Sequence, residues 1–315
     1  MNRRSFIETG LTAGVAAASS GVPQAQGKKT GRLALPQPRK IAGEVFGAGG
    51  YDAIWTLVNV GFVVRLGEVI IFLDPILQSG NPLYAELRKA RRQADRLPPE
   101  VRFYDPDSLY LETEHYPLSG SEVKRADYVL VTHDHTDHCE PRSVKALSRH
   151  NPRILTPPSC HPMLIEEGVP KEQLQAVAHG DRIRGEGFTV RIQYARHGNS
   201  EGACGFLLET RYGNIYHPGD GRFDHPHKAE NCNLKVDYLL LPINDTNLGV
   251  GFAALLTQIL QPKVVIPCHY GFTSPPVRSQ GGHPAEFVTA LAARNYRLPA
   301  TDVLILKPGG KVVLV

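Results

Sequence analysis

His133-Asp134-His135-Thr136-Asp137-His138 places three imidazoles and two carboxylates side by side, directly after the apolar run Tyr128-Val129-Leu130-Val131. A buried strand that empties into a loop this dense in donor groups is hard to account for without metal. Imidazole and carboxylate together suit zinc, iron and manganese. His133 and His135 alternate, so both can point the same way at a strand end. Asp137 and His138 come after the chain has turned, and can face a second ion beside the first.

Working outward, three further segments set a donor straight after a strand-like run. Arg191-Ile192-Gln193-Tyr194-Ala195-Arg196 leads to His197. Asn214-Ile215-Tyr216-His217-Pro218-Gly219 leads to Asp220, and Val264-Val265-Ile266-Pro267-Cys268 leads to His269. Each alone is as well explained by a hydrogen-bonded turn residue. Together with the first motif they form a set.

The rest of the chain alternates strand-like and helix-like segments. Strands are expected at 55–58, 61–66, 69–73, 127–132, 188–195, 203–210, 214–217, 236–241, 263–268, 303–306 and 312–315. Helices are expected at 82–94, 143–149, 162–167, 252–260 and 284–294. Residues 97–119 carry Pro, Tyr and acidic side chains without a period, and read as an irregular insertion. Short apolar strands mixed with helices, in two similar halves, predict stacked sheets flanked by helices, an α/β (α+β) architecture.

The chain has 315 residues, 42% hydrophobic and 21% charged, within the ordinary globular range. A net charge of +4 is too weak to argue for nucleic acid. Five cysteines without regular spacing make no disulfide framework, and Cys139 and Cys268, next to candidate donors, read as packing residues. Beyond the N-terminal region no segment approaches the length of a membrane span. Asn2-Arg3-Arg4-Ser5-Phe6-Ile7 is similar to a twin-arginine export motif. A mildly apolar stretch at 9–18 and a small-residue stretch at 19–27 follow it. The expected organisation is a signal peptide at 1–27, a basic linker at 28–40 and one domain at 41–315. That address implies a bacterial or archaeal protein, the twin-arginine machinery as a partner and a periplasmic or extracellular end point. Because the route exports folded proteins, metal could be loaded before export.

His133, His135, Asp137 and His138 match the HxHxDH signature of the metallo-β-lactamase superfamily, which the chain resembles from about residue 54 onward. The later donors His197, Asp220 and His269 match that family's ligand positions in order. The resemblance implies a four-layer αβ/βα sandwich with a dinuclear site at one edge. By that resemblance one ion takes His133, His135 and His197, the other takes Asp137, His138 and His269, and Asp220 bridges. A narrower resemblance is to the L-ascorbate-6-phosphate lactonase branch. It is carried by Asn81-Pro82-Leu83, Gly168-Val169-Pro170, the segment from Gly213 to His217, Gly219-Asp220, and Val264 to Tyr270. An export address departs from that branch's role inside the cell, so the substrate does not carry over. The carboxylate at 220, where many zinc β-lactamases have Cys or Ser, resembles the superfamily's esterases, lactonases and phosphodiesterases.

Two divalent ions, zinc first and manganese or iron otherwise, can share a water and bring its pKa down to roughly 7. The expected activity is therefore hydrolysis of a lactone or other ester of a small molecule by hydroxide held at a dinuclear site. Asp137 is placed to bind metal and to orient the nucleophile, with Asp220 as the second carboxylate. No G-x-S-x-G elbow is present. By the same resemblance Asp74, before Pro75, lies beneath the site, where it could hold a ligand imidazole in one tautomer; a turn-forming Asp-Pro is the alternative. Arg222, His225 and His227 could meet an anionic substrate or belong to a solvated loop. Asn244 and Tyr270 adjoin ligand-bearing strand ends, and His115 could act from a lid. A phosphodiesterase would use the same centre. A di-iron redox enzyme would need a flavin domain for which the chain leaves no room. A non-catalytic metal-binding protein should show a broken donor set, and this set is complete.

Overall fold

The computed structural model describes residues 39–77, 116–198, 200–222, 227–244, 249–270, 284–293 and 301–315. The expected signal, the expected linker up to residue 38, the helix expected at 82–94, most of the insertion, His115 and His225 lie outside these residues.

Val, Ile, Leu and Phe dominate β2 (Phe62–Leu66) and β3 (Val69–Leu73), and both strands are buried along their whole length. Such runs have no solvent face and require cover on both sides. They sit in a seven-stranded sheet with β1 (Ala53–Thr56), β4 (Tyr128–Leu130), β5 (Arg153–Thr156), β6 (Leu174–Ala176) and β14 (Lys311–Val313). Its order is β14-β1-β2-β3-β4-β5-β6. Pairing is antiparallel from β14 to β3 and parallel from β3 to β6.

The second sheet repeats this plan. β7 (Arg182–Arg184), β8 (Phe188–Tyr194), β9 (Cys204–Thr210) and β10 (Gly213–His217) are antiparallel neighbours. β11 (Tyr238–Pro242), β12 (Val264–Cys268) and β13 (Asp302–Val303) then continue in parallel from β10. Thus β3 and β10 hold equivalent places, each the strand where antiparallel pairing gives way to parallel.

Three cores make four layers. Between the sheets, Phe62, Val64, Ile71 and Leu130 pack with Val190, Phe206, Ile215 and Leu240. On the outer face of the first sheet, Trp55, Phe72 and Val129 meet α1 (Ala42–Val45), α2 (Pro141–Ser148) and α3 (His161–Glu167) through Val45, Val144, Leu147 and Leu164. A third core joins Leu239, Leu241 and Val265 to α5 (Gly249–Leu260) and α6 (Pro284–Ala293) through Leu256, Leu260, Phe287 and Leu291. A short α4 (Lys228–Cys232) precedes β11. The αβ/βα sandwich is the architecture expected from the chain. Among the described residues no helix is long and apolar enough to cross a membrane, and all five cysteines are free thiols.

Element limits shift where local chemistry overrides pattern. The strand expected to reach 58 stops at Thr56 because the chain turns over 57–61, with Asn59 at φ 60° and Leu57 N–H bonded to the Gly61 carbonyl at 2.8 Å. The helix expected from 143 starts at Pro141, because the buried Glu140 carboxylate caps the N–H groups of Arg142 and Ser143. The strand expected to run to 132 leaves the ladder after Leu130, and Thr132 N–H turns to a side chain instead.

Candidate metal centre

Each donor arrives from the C-terminal end of a strand or from the loop beyond it. β4 delivers the motif loop, β8 delivers His197, β10 delivers Asp220 and β12 delivers His269. The sequence runs apolar to the end of each strand and then changes to polar groups, so each donor emerges where the core stops.

The seven residues converge into overlapping triads. His133, His135 and His197 bring ring nitrogens within 4.8 Å of one another; His133 and His138 do the same with a carboxylate oxygen of Asp220, and His138 and His269 with one of Asp137. The rings of His133 and His138 lie 4.1 Å apart between centroids, and those of His133 and His197 4.6 Å. His135 Nδ1 is 2.9 Å from His197 Nε2. His269 Nε2 stands 3.2 Å from Asp137 Oδ2 and 3.3 Å from Asp220 Oδ2, and His138 Nε2 stands 3.4 Å from the same Asp220 oxygen.

These residues fit divalent ions. His133 Nε2, His138 Nε2, His197 Nδ1 and His269 Nε2 are buried atoms without a hydrogen-bond partner. Leaving such atoms unmatched is costly. The carboxylate contacts of 3.2–3.4 Å are close to the roughly 3.4 Å edge of a tetrahedron with bonds of about 2.1 Å, which puts donors around a shared point.

Beneath the cluster lies Asp74, fully buried and at φ 40°. Its Oδ1 accepts Thr132 N–H at 2.8 Å. Its Oδ2 accepts Thr132 Oγ1–H at 2.7 Å, His138 Nδ1–H at 2.7 Å and His217 Nε2–H at 3.0 Å. An ionised carboxylate only accepts, so a proton of His138 is fixed on Nδ1, and loss of the other leaves the Nε2 lone pair facing the cluster. Thr132 Oγ1, having donated to Asp74, accepts from His133 Nδ1 at 3.0 Å and aims His133 Nε2 likewise. Asn59 ties two donor loops together. Its carbonyl accepts His269 N–H at 3.1 Å and its Nδ2 donates to the Asp137 carbonyl at 3.3 Å.

The protonation preferences divide the cluster. Burial drives the pKa of His133 well below its ordinary value, reinforced by His138, and burial also lowers His197. Burial opposes charge on His138 and His269 too, but carboxylates outweigh it there. Asp220 and Asp74 hold His138 well above its ordinary value, and Asp220 with Asp137 pushes His269 up to about 9. Asp137 and Asp220 are correspondingly held below the usual carboxylate range: burial resists, and His269 and His138 prevail.

Other expected residues are placed as follows. Asn244 is buried at the end of β11. Arg222 is exposed and its N–H bonds the Arg196 carbonyl at 2.8 Å. The Tyr270 hydroxyl donates to the Leu306 carbonyl at 3.2 Å. Sequence reasoning gave no role to Thr132, His217 or Asn59. His217 had one signal, a histidine at the inward-facing end of a buried strand. Thr132 and Asn59 had none, because their partners lie far along the chain.

The profile of the beta-lactamase superfamily domain matches residues 59–269. A UPF0173 metal-dependent hydrolase of Pyrobaculum calidifontis is 31% identical over 198 residues, covering 61% of this chain and 84% of its own length. A metallo hydrolase from the hyperthermophilic archaeon Ignicoccus hospitalis superposes with a TM-score of 0.56 at 20% identity, over 83% of this chain and 97% of that one. A diiron β-hydroxylase from Streptomyces venezuelae gives a TM-score of 0.56 at 15% identity, over 89% of this chain and 55% of that one. The two structural likenesses speak for the fold alone.

Proposed function

This chain belongs to the beta-lactamase superfamily and is a metal-dependent hydrolase; from that premise we propose that it opens a lactone or another carboxylic ester of a small molecule. Two divalent ions, zinc before manganese or iron, would be held by His133, His135 and His197 and by Asp137, His138 and His269, with Asp220 a donor to the pair. When bound, they supply Lewis acidity to the substrate carbonyl and acidify water toward a pKa of roughly 7.

The chain's own residues do the rest. Asp220, 4% exposed, is the carboxylate common to both sides and is suited to holding. Asp137, with its side chain 27% exposed, is the carboxylate with access to solvent, and it accepts the proton of the attacking water. Asp74 keeps the His138 ring in one tautomer throughout. The observation that supports an ester substrate, carboxylic or phosphoric, over a β-lactam is the carboxylate at 220 itself, lodged 3.4 Å from His138 and 3.3 Å from His269, so the donor set is all nitrogen and oxygen. Protein loaded with zinc and offered lactones, carboxylic esters, phosphodiesters and β-lactams tests the reading. Turnover of lactones or esters supports it. Turnover of phosphodiesters alone replaces it with a phosphodiesterase, and no turnover at full occupancy points to a metal-binding protein without catalysis.

Export completes the proposal. Asn2-Arg3-Arg4-Ser5-Phe6-Ile7 supports a twin-arginine signal at 1–27, a linker at 28–40, a hydrolase domain at 41–315 and a periplasmic or extracellular destination. Arg3→Lys with Arg4→Lys should leave the precursor in the cytoplasm. Equal export of the double variant in cell fractionation would sink this part and leave the hydrolase reading untouched.

A further inference from the structure

A second group of donors stands apart from the centre described above. His179, His227 and Glu230 bring two ring nitrogens and a carboxylate oxygen within 4.8 Å of one another. His179 lies in the turn between β6 and β7. His227 caps α4 and Glu230 sits in its first turn, so a single short helix presents both at i, i+3. Glu230 Oε2 is 3.0 Å from His179 Nε2 and 3.7 Å from His227 Nδ1. These distances bracket the roughly 3.4 Å edge of a tetrahedral zinc site.

The surroundings hold the donors in place. The two imidazoles lie 4.1 Å apart between centroids, and Tyr194 backs them at 6.0 Å and 4.9 Å. Asn231 Nδ2 donates to the Tyr194 carbonyl at 2.8 Å, fastening α4 to the end of β8. All three donors keep some exposure, so an ion has a way in. One imidazolium would suffice to pair with Glu230. A second imidazole packed at a tilt against the first gains little from that pair, whereas a divalent ion uses all three groups.

We propose that His179, His227 and Glu230 form a third, mononuclear site for a divalent transition ion such as Zn²⁺, with the fourth position left to water. It lies outside the catalytic cluster and joins the β6–β7 turn to α4. Tyr194 behind it and the ligand His197 lie on the same stretch of chain, so the ion steadies one flank of the catalytic centre.

The test uses the full-length chain without an affinity tag, stripped by chelator and dialysed to equilibrium against Zn²⁺. Elemental analysis should find one ion fewer per chain in His227→Gln/Glu230→Gln than in the parent, and the same deficit in His179→Gln. Co²⁺ loading should give visible d–d absorption in the parent, with one component missing from both variants. Far-ultraviolet circular dichroism checks that the variants fold, and His179→Gln decides the matter where the double variant does not. Equal ion counts in parent and variants overturn the proposal. If the dinuclear reading fails instead, counts fall equally in every protein and the difference of one persists.

Discussion

The two ends of the donor cluster are built differently. His133, His135 and His197 are imidazoles alone, and His135 reaches the exposed rim. Asp137, His138 and His269 lie against Asp220, with Asp74, Thr132 and His217 buried behind His138. At the first end His133 and His197 have lowered pKa values and are neutral, ready to ligate. The second has imidazoles raised by carboxylates, so an incoming ion must displace protons. Charge explains the difference in scaffolding. Neutral rings can be buried cheaply, but ionised carboxylates need partners on every side.

The sharpest way to test this division is Asp137→Asn. The amide fills the same space but cannot take a proton, so turnover on an active ester should fall ~10²–10⁴-fold with both ions still bound. Near-parental turnover at full occupancy would remove Asp137 from proton transfer and leave Asp220 as the nearest candidate.

Asp74→Asn should act mainly on the second end. Loss of the charged acceptor beneath His138 should weaken one ion by roughly 10–100-fold in a chelator competition, and the other less, because Asp74 reaches His133 only through Thr132. His135→Ala gives the converse, weakening the other ion while the melting temperature of the metal-free protein barely moves. Equal weakening of both ions by either variant would erase the distinction between the ends.

The smallest effect is one of pH. In metal-free protein the folded pKa of His269 is raised from 6.5 to about 9. A group raised on folding contributes stability that is complete below 6.5 and lost as pH climbs through about 9. The melting temperature of metal-free protein should fall across that window, and His269→Asn should flatten the fall. A melting temperature in the parent that holds level from pH 6.5 to 9 would contradict the carboxylate control of His269.

The donors themselves were legible because each closes an apolar run, and a change from apolar to polar at a strand end is a local signal. The sandwich was legible for the same reason, since β3, β11 and β12 are continuous hydrophobic runs and β2 is broken only by Arg65. What local pattern could not carry was pairing between distant groups. Asp74 before Pro75 reads equally as a turn, and only the approach of Thr132, His138 and His217 shows its place. β6 and β7 are three residues each and only partly buried, so they owe their strand form to their neighbours. α4 holds only five residues and is kept in place by Asn231.

The pairing of β14 with β1 has a consequence for the order of events in making the protein. Ala53 lies opposite Val313 in that ladder, so the edge of the first sheet stays open until residues 311–313 have left the ribosome. Until then Ala53–Thr56, wholly buried in the finished fold, presents unpaired backbone to any other nascent strand. Closure of that edge therefore waits on a strand that lies far downstream of the one it completes.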